Sequence, residues 1–507
     1  MATLSALPVE VLEHILSLLP LDVWKQATLV CRQWNAVCSA RKCMANIVLK
    51  LEPSEQQASE ICSQLSSSER KYRHIIFQGY DDDCYVLPKI VERFKCNLES
   101  LFIKGCYESS LQLSIGYIKR LFDSLTMLKE LRIQTMIDFE DDIADEKIVL
   151  PVMPHLRILY LEYDSLEASR FDWREIAPNL KHLYISHNLA SSNFIDLMSF
   201  YGQQLTKLGI TLEGEEYCSV GDENVKFPLV RHLSVKCWSK LGINPTERLF
   251  KSFTNLSELS LGHYLSSEQL SLIVKYHPSL LTLRLYDAMP ENGLQMISKL
   301  PNLQRLYLFR ITLNHDELAQ TDCFHKVQQL SLKYVEVGDA DVFFAKVCIK
   351  IPNIISLEIA EAEEKQISAA CRHLCNLQQL TVLFENYMSS EMFRDISQLN
   401  RLTELKIYSH AHKLVFNWTW FSRCPNILIL AMMTQFSPSG KDTEEWKAFA
   451  DNFPSLTVFE IAKCKLQPIA IEYIQNRLPN CEIRPVSQKG PFEADTCDAT
   501  LQFRNDV

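Results

Sequence analysis

Few residues in this chain stand at spacings that could do chemistry. The nearest approach to a metal site is Cys371, His373 and Cys375, but donors two residues apart fall around a helix rather than on one face, so no bound metal is expected there. His410 and His412 follow a strand pattern whose alternation could bring both imidazoles to one side. A third ligand is missing, and solvated or packed histidines are the better reading. Gly440-Lys441 runs on to Asp442 without the upstream glycine of a phosphate loop, and only 13 glycines occur in all. A serine nucleophile elbow, a His-Glu-x-x-His helix and paired Cys-x-x-Cys sites are also absent from the sequence. No cofactor, metal or catalytic residue is expected, and the chain reads as a binder rather than an enzyme.

Bulk composition narrows what could be bound. Across 507 residues, 52 Lys plus Arg stand against 62 Asp plus Glu, a net charge of -10, which argues against nucleic acid or an anionic membrane as the partner. The first apolar stretch is broken by Glu10, Glu13 and His14 and has no basic leader, so it reads as neither signal peptide nor membrane span. Seventeen cysteines without framework spacing read as small buried apolar groups in a reducing compartment, the cytoplasm or nucleus. Acidic stretches at 81–83, 138–146, 213–216 and 361–364 read as solvated turns, with a mild electrostatic preference for a basic partner segment.

At the level of elements, one string recurs along the chain: apolar, two variable residues, apolar, one variable residue, apolar. It is plain at Leu156/Leu159/Leu161, Leu180/Leu183/Ile185, Leu256/Leu259/Leu261, Leu280/Leu283/Leu285, Leu303/Leu306/Leu308 and Leu402/Leu405/Ile407. Further starts at Leu98, Leu128, Leu205, Val230, Val327, Ile354, Leu377, Ile427 and Leu456 give steps of about 26 residues. Pro154, Pro178, Pro228, Pro278, Pro301, Pro352, Pro425 and Pro454 each stand two residues before a first apolar position, where proline stops a helix ahead of the next strand. Helical patterns such as Leu270/Ile273/Val274, with Ser267 as N-cap, and Leu294/Ile297/Leu300 lie between. Each unit is thus one strand and one helix. Weaker units are expected at Met44/Ile47/Leu49 and Tyr72/Ile75/Phe77, with a truncated one at Cys481. The pattern resembles intracellular leucine-rich repeats, which implies an α/β solenoid over 44–484, while 485–507, with Gly490-Pro491 and few paired apolar residues, reads as a loose tail. That family's ninth position, Asn or Cys, is filled here only by Cys106, Asn188 and Cys464.

Residues 4–43 lack the repeat. Pro8 suits the first turn of a helix carrying Leu12, Ile15, Leu16 and Leu19, Asp22 is a natural N-cap for a second helix with Ala27 and Val30, and a third presents Cys31, Trp34 and Val37. About 40 residues cannot enclose so much apolar surface alone, so part must face another chain or the first repeat. Leu7-Pro8-x-Glu10-x-Leu12, Ile15-Leu16, Leu18-Leu19-Pro20 and Leu29-Val30-Cys31-Arg32-x-Trp34 together resemble the small all-α F-box. The resemblance implies docking on a Skp-type adaptor that tethers the chain, indirectly, to a cullin ubiquitin-ligase scaffold. Leu7, Pro8, Leu12, Ile15, Leu16 and Leu19 would be adaptor contacts, with Leu29, Val30 and Trp34 shared between contact and packing.

The repeats supply a second candidate surface. With the second and third apolar residues of each strand in the core, intervening and flanking residues face the concave side. Arg284, Tyr286, Arg305, Tyr307 and Phe309 come from adjacent strands, and Tyr160 and Tyr184 from two earlier ones. Arg and aromatic residues are enriched at binding hot spots, although the same residues could serve as a lateral ladder stabilising the sheet. The combined reading is a non-catalytic substrate receptor of an SCF-type ubiquitin ligase, serving protein degradation. The alternative is a repeat scaffold whose F-box-like cap is not coupled to degradation.

Overall fold

The computed structural model describes residues 7–17, 19, 21–39, 44, 47–52, 58–68, 70–78, 86–104, 111–112, 115–123, 125–134, 137–138, 148–162, 171–186, 191–212, 225–237, 242–262, 264–287, 289–313, 315–361, 363–384, 390–409, 418, 421–422, 424–433, 443–461 and 468–485. The chain divides into two compact units, Met1–Val230 and Arg231–Val507.

The first unit opens with α1 (Val9–Ser17), α2 (Leu21–Ala27) and α3 (Arg32–Ser39). Pro8 stands just outside α1, and its carbonyl accepts from the amides of Val11 and Leu12, both at 3.1 Å. A proline there fixes the entry to the helix without removing a needed donor. α2 begins at Leu21, which places Asp22 inside its first turn rather than at the cap expected from the sequence. The strands Val48–Leu51, His74–Gln78, Ser100–Lys104, Glu130–Gln134, Ile158–Glu162, His182–Ser186 and Lys207–Leu212 come next, each parallel to its successor. In the second unit a parallel sheet runs in chain order from His232–Cys237 through Glu258–Gly262, Thr282–Tyr286, Arg305–Phe309, Gln329–Lys333, Ser356–Ala360, Gln379–Phe384, Glu404–Ser409, Ile429–Met433 and Val458–Ile461 to Glu482–Pro485. Helices such as Ser267–Tyr276, Ala340–Lys350, Glu364–His373 and Thr443–Asn452 alternate with the strands. The fold is α/β, with open parallel sheet in each unit after an all-α start.

The recurring string dictates this arrangement. Its second and third apolar residues are two apart and so share one strand face, while parallel strands require a crossover, which the helix provides. Leu259, Leu283, Leu306, Leu330, Leu357, Leu380 and Leu405 stand opposite one another from strand to strand, and all are buried. Each such side chain taken from water contributes about 1.5–3 kcal/mol. Prolines punctuate as expected: Ser267–Tyr276 is capped by His277 before Pro278, and Ala340–Lys350 by Ile351 before Pro352.

A second stitch was not anticipated. Asn179, Asn302, Asn353 and Asn426 each come directly after one of the punctuating prolines. Their side-chain amides donate to a backbone carbonyl of the preceding repeat: Pro154 at 3.0 Å, Pro278 at 3.2 Å, His325 at 2.6 Å and Asn400 at 2.6 Å. The asparagines that bridge repeats here thus sit after the proline. Cys106, Asn188 and Cys464, the residues filling the ninth position, lie outside the described residues.

Other expectations need correction. In the first strand Leu49 faces Ile75 and Leu51 faces Phe77, so that repeat lies two residues later than Met44/Ile47/Leu49; pairing with the next strand sets the register. The N-cap of Ser267–Tyr276 is Ser266, whose hydroxyl accepts from the Gln269 amide while the Gln269 side chain accepts from the Ser266 amide. Cys38, Cys371, Cys424 and Cys481 are buried as expected of small apolar groups, but Cys31, Cys96, Cys348 and Cys375 are exposed. Glu363 and Glu364 serve a helix start, Glu363 as N-cap in a capping box with Gln366. The acidic stretches 81–83 and 213–216, residues 139–146, His410, His412 and the tail beyond Pro485 lie outside the described residues. Among the described residues, no helix is long and apolar enough to cross a membrane.

Candidate protein-binding surfaces

The three N-terminal helices are held together by a small interior. α1 and α2 both pack on α3, and Leu12, Leu16, Trp24, Ala27, Val37 and Cys38 are buried. Leu12 and Leu16, assigned to adaptor contact on motif position, therefore point inward: each is 1% exposed and offers no surface to a partner in the free chain. Their spacing of four residues aligns them on the one face of α1 that meets α3. Trp24 also ties these helices to the chain beyond them, since the Arg70 guanidinium lies 5.6 Å from its ring centroid.

Outside this interior the helices carry bare apolar side chains. Leu29 is 86% exposed and Val30 62%, and Val9, Val11, Ile15 and Val23 are also exposed. Pro8 is exposed, while Leu7, Leu19 and Trp34 are half-buried. Single exposed apolar residues are ordinary, but here six stand within 22 positions of one small helical region. The motif pointed to Ile15, Leu29 and Val30. It gave no signal for Val9, Val11 and Val23, because motif spacing does not say which helix face the interior takes.

In the second unit the predicted group is brought together, and its members bind one another. The Arg284 guanidinium lies 4.7 Å from the Tyr307 ring centroid, and Tyr286 and Phe309 have centroids 5.5 Å apart. Phe309 in turn meets Tyr334 at 5.0 Å. Their hub is Glu258, which sequence reasoning missed: it takes Arg284 at 3.2 Å, Arg305 at 3.0 Å and the His232 ring at 3.2 Å. Burial works against its charge, but the hydrogen bond and charge of His232 and the charge of Arg284 win and hold the carboxyl down at about 2. Arg284 and Phe309 are buried, whereas Tyr286, Arg305 and Tyr307 keep accessible surface. Burial raises the Tyr307 hydroxyl above its ordinary value. The ladder continues through Glu358, which accepts from Ser331 at 2.8 Å and pairs with Lys333 at 3.3 Å. Aligning the repeats would have revealed Glu258, because it occupies the strand position of Thr282 and Arg305.

In the first unit Tyr160 and Tyr184 stack with centroids 4.5 Å apart and planes 8° from parallel. Gly209 ends the stack, since a Cβ there would lie 2.0 Å from the Tyr184 ring. Elsewhere, Cys371 is buried, which raises its thiol well above the ordinary range, and the His373 ring lies 3.3 Å from Asp341. Cys375 is exposed, and no group of metal-ligating side chains converges among the described residues.

Comparison with known proteins finds no match among curated proteins. Among solved structures, the yeast Rad7 and Elc1 complex is similar at 13% identity, covering 95% of this chain and 98% of that one with a TM-score of 0.23. The family model that matches is described as F-box-like, and residues 4–49 of this chain are accordingly an F-box-like domain.

Proposed function

We propose that this chain is the substrate-recognition subunit of an SCF-type ubiquitin ligase. Residues 4–43 hold a Skp-type adaptor, and through it a cullin scaffold, while the repeats over 44–484 hold the protein to be ubiquitylated. The observation that carries the reading is the bare apolar surface around Leu29 and Val30 on a domain matched as F-box-like. Such a receptor needs no catalytic residue. Holding a target lysine beside a tethered conjugating enzyme turns a bimolecular encounter into a nearly intramolecular one.

The adaptor-facing set is Leu7, Pro8, Ile15, Leu29 and Val30, with Leu19 and Trp34 at its margin; Leu12 and Leu16 act from beneath by holding α1 on α3. Tyr286, Arg305 and Tyr307 are the accessible members of the substrate-facing group, and Arg284 and Phe309 brace them. The test is co-purification of adaptor and cullin with the full chain and with a Leu29→Asp, Val30→Asp variant. Loss of both partners from the variant, with unchanged circular dichroism, supports the reading. Equal recovery removes it and leaves a repeat scaffold uncoupled from degradation.

A further inference from the structure

We propose that the edge of the first unit's sheet at which its strands begin is a docking surface for an acidic, extended segment of a partner protein. The residues just before successive strands are Arg73, Glu99, Lys129, Arg157 and Lys181, and then Thr206. Backbone hydrogen bonds lock them side by side. Glu99 donates to Arg73, Lys129 to Glu99, Arg157 to Lys129, Lys181 to Arg157 and Thr206 to Lys181, each at 2.8 Å. Neighbours in this row are therefore one strand apart, about 4.8 Å.

Its only acid is already neutralised. Glu99 is paired with Arg73 and, at 3.0 Å, with Lys129. Arg157 and Lys181 are exposed and in surplus. Arg157 gives one N–H to the Asn179 carbonyl at 2.8 Å, and the Lys181 ammonium has no partner among the described residues. Acids on the same strands are engaged elsewhere: Glu130 holds Arg132 and accepts from Ser100 at 3.1 Å, and Glu162 accepts from Tyr160 at 2.8 Å.

The corresponding row of the second unit has the same backbone bonds and different chemistry. After Arg231 it reads Ser257, Leu281, Gln304, Gln328, Ile355, Gln378, Thr403, Leu428 and Thr457, without a charge. The fold thus does not require basic residues at this position. Like charges at fixed spacing on a chain whose net charge is -10 attract and register a segment of opposite sign. An extended peptide repeats its side chains on one face every ~6.6 Å, within reach of Lys and Arg side chains on ~4.8 Å centres. A nucleic-acid strand is the other polyanion such a row could attract, and the test sets it beside the peptide.

The basic row has this character whether or not the chain serves a ligase. The test measures fluorescence anisotropy of a labelled (Glu-Ala)6 peptide with the full chain, beside the (Gln-Ala)6 peptide, in about 50 and about 300 mM salt. Binding should favour the Glu peptide at least tenfold and weaken at least tenfold in high salt. It should also fall at least tenfold in Arg157→Glu, Lys181→Glu, while Gln304→Glu, Gln328→Glu stays within about twofold of the parent. Arg157→Gln, Lys181→Gln should give an intermediate loss, and melting curves confirm that each variant is folded. Equal binding by the parent and the charge-reversed variant would overturn the proposal. So would preferential binding of a twelve-nucleotide oligothymidine.

Discussion

His277 shows how one residue can depart from the repeat that surrounds it. Before the punctuating proline the other repeats place Met153, Ala177, Phe227, Leu300, Ile351, Cys424 and Phe453, all buried and apolar, and His277 is buried in the equivalent place. Its ring meets Phe250 edge-on at 5.4 Å, and its Nε2 has no hydrogen-bond partner among the described residues. Burial lowers its value from 6.5 to about 4. Because the folded value lies below the unfolded one, the stability this histidine contributes is present above 6.5 and is lost as pH falls from there towards 4. Between pH 7 and 4.5 the loss is about 2–3 kcal/mol. Urea unfolding at both pH values should show a smaller acid loss for His277→Leu than for the parent; identical losses would remove the imidazole as the cause. Gly209 makes a steric demand of similar sharpness. A Cβ placed 2.0 Å from the Tyr184 ring must push the stack apart, so Gly209→Ala should cost about 1–3 kcal/mol. That cost should shrink in a Tyr184→Ala background, as read from a double-mutant cycle in thermal melts.

Elements owe their definition to pairs of residues, and the accessible ones can be tested separately. Leu306→Ala should cost about 2–5 kcal/mol, since Leu306 lies between Leu283 and Leu330 in the buried row, whereas Asn353→Ala, which removes one bridge between repeats, should cost about 1 kcal/mol. Urea midpoints that failed to rank the two in this order would mean that the bridges, not the leucines, hold the repeats. The strand positions were legible in the sequence because three apolar residues at fixed spacing survive any change of loop length. Register failed at the first strand, where exposed Val48 stands next to half-buried Leu49 and the apolar pattern does not identify a face, and at the last, where Ile483 stands opposite Phe459 and so lies one residue earlier than a unit starting at Cys481 would place it. The F-box-like helices were legible as an ordered motif, but their faces were not. Leu12 and Ile15 read alike in the sequence, and only packing of α1 on α3 puts one inside and the other out. Leu12→Asp is consequently a stability variant: a carboxylate without a partner in that interior should unfold the three helices, while Leu29→Asp leaves them folded. Near-ultraviolet circular dichroism from Trp24 and Trp34 would distinguish the two.

At the scale of the whole molecule the two candidate surfaces lie in different compact units, so they should be separable by mutation. The ladder around Glu258 was legible only in part, since a list of concave residues does not reveal that Arg284 spends its charge on Glu258 and its plane on Tyr307. On the receptor function proposed above, that pairing changes which side chains can carry substrate affinity. Arg284 is 8% exposed and braces its neighbours, whereas the Arg305 side chain is 41% exposed and still spans Glu258 and Thr282. A pre-ordered Arg beside an accessible Tyr loses little entropy on binding, which is what distinguishes an anchor from a mobile contact. Truncating Arg305 and Tyr307 together should reduce substrate capture by about 2 kcal/mol or more and leave adaptor capture by the first unit unchanged. Proximity labelling in cells, comparing the parent with Arg305→Ala, Tyr307→Ala and with Leu29→Asp, Val30→Asp, reads both effects at once. The first pair should lose particular neighbours and keep the adaptor, and the second should lose the adaptor and keep those neighbours. Loss of the same proteins from both variants would mean that the two surfaces serve one partner, and the division of labour between the units would have to be abandoned.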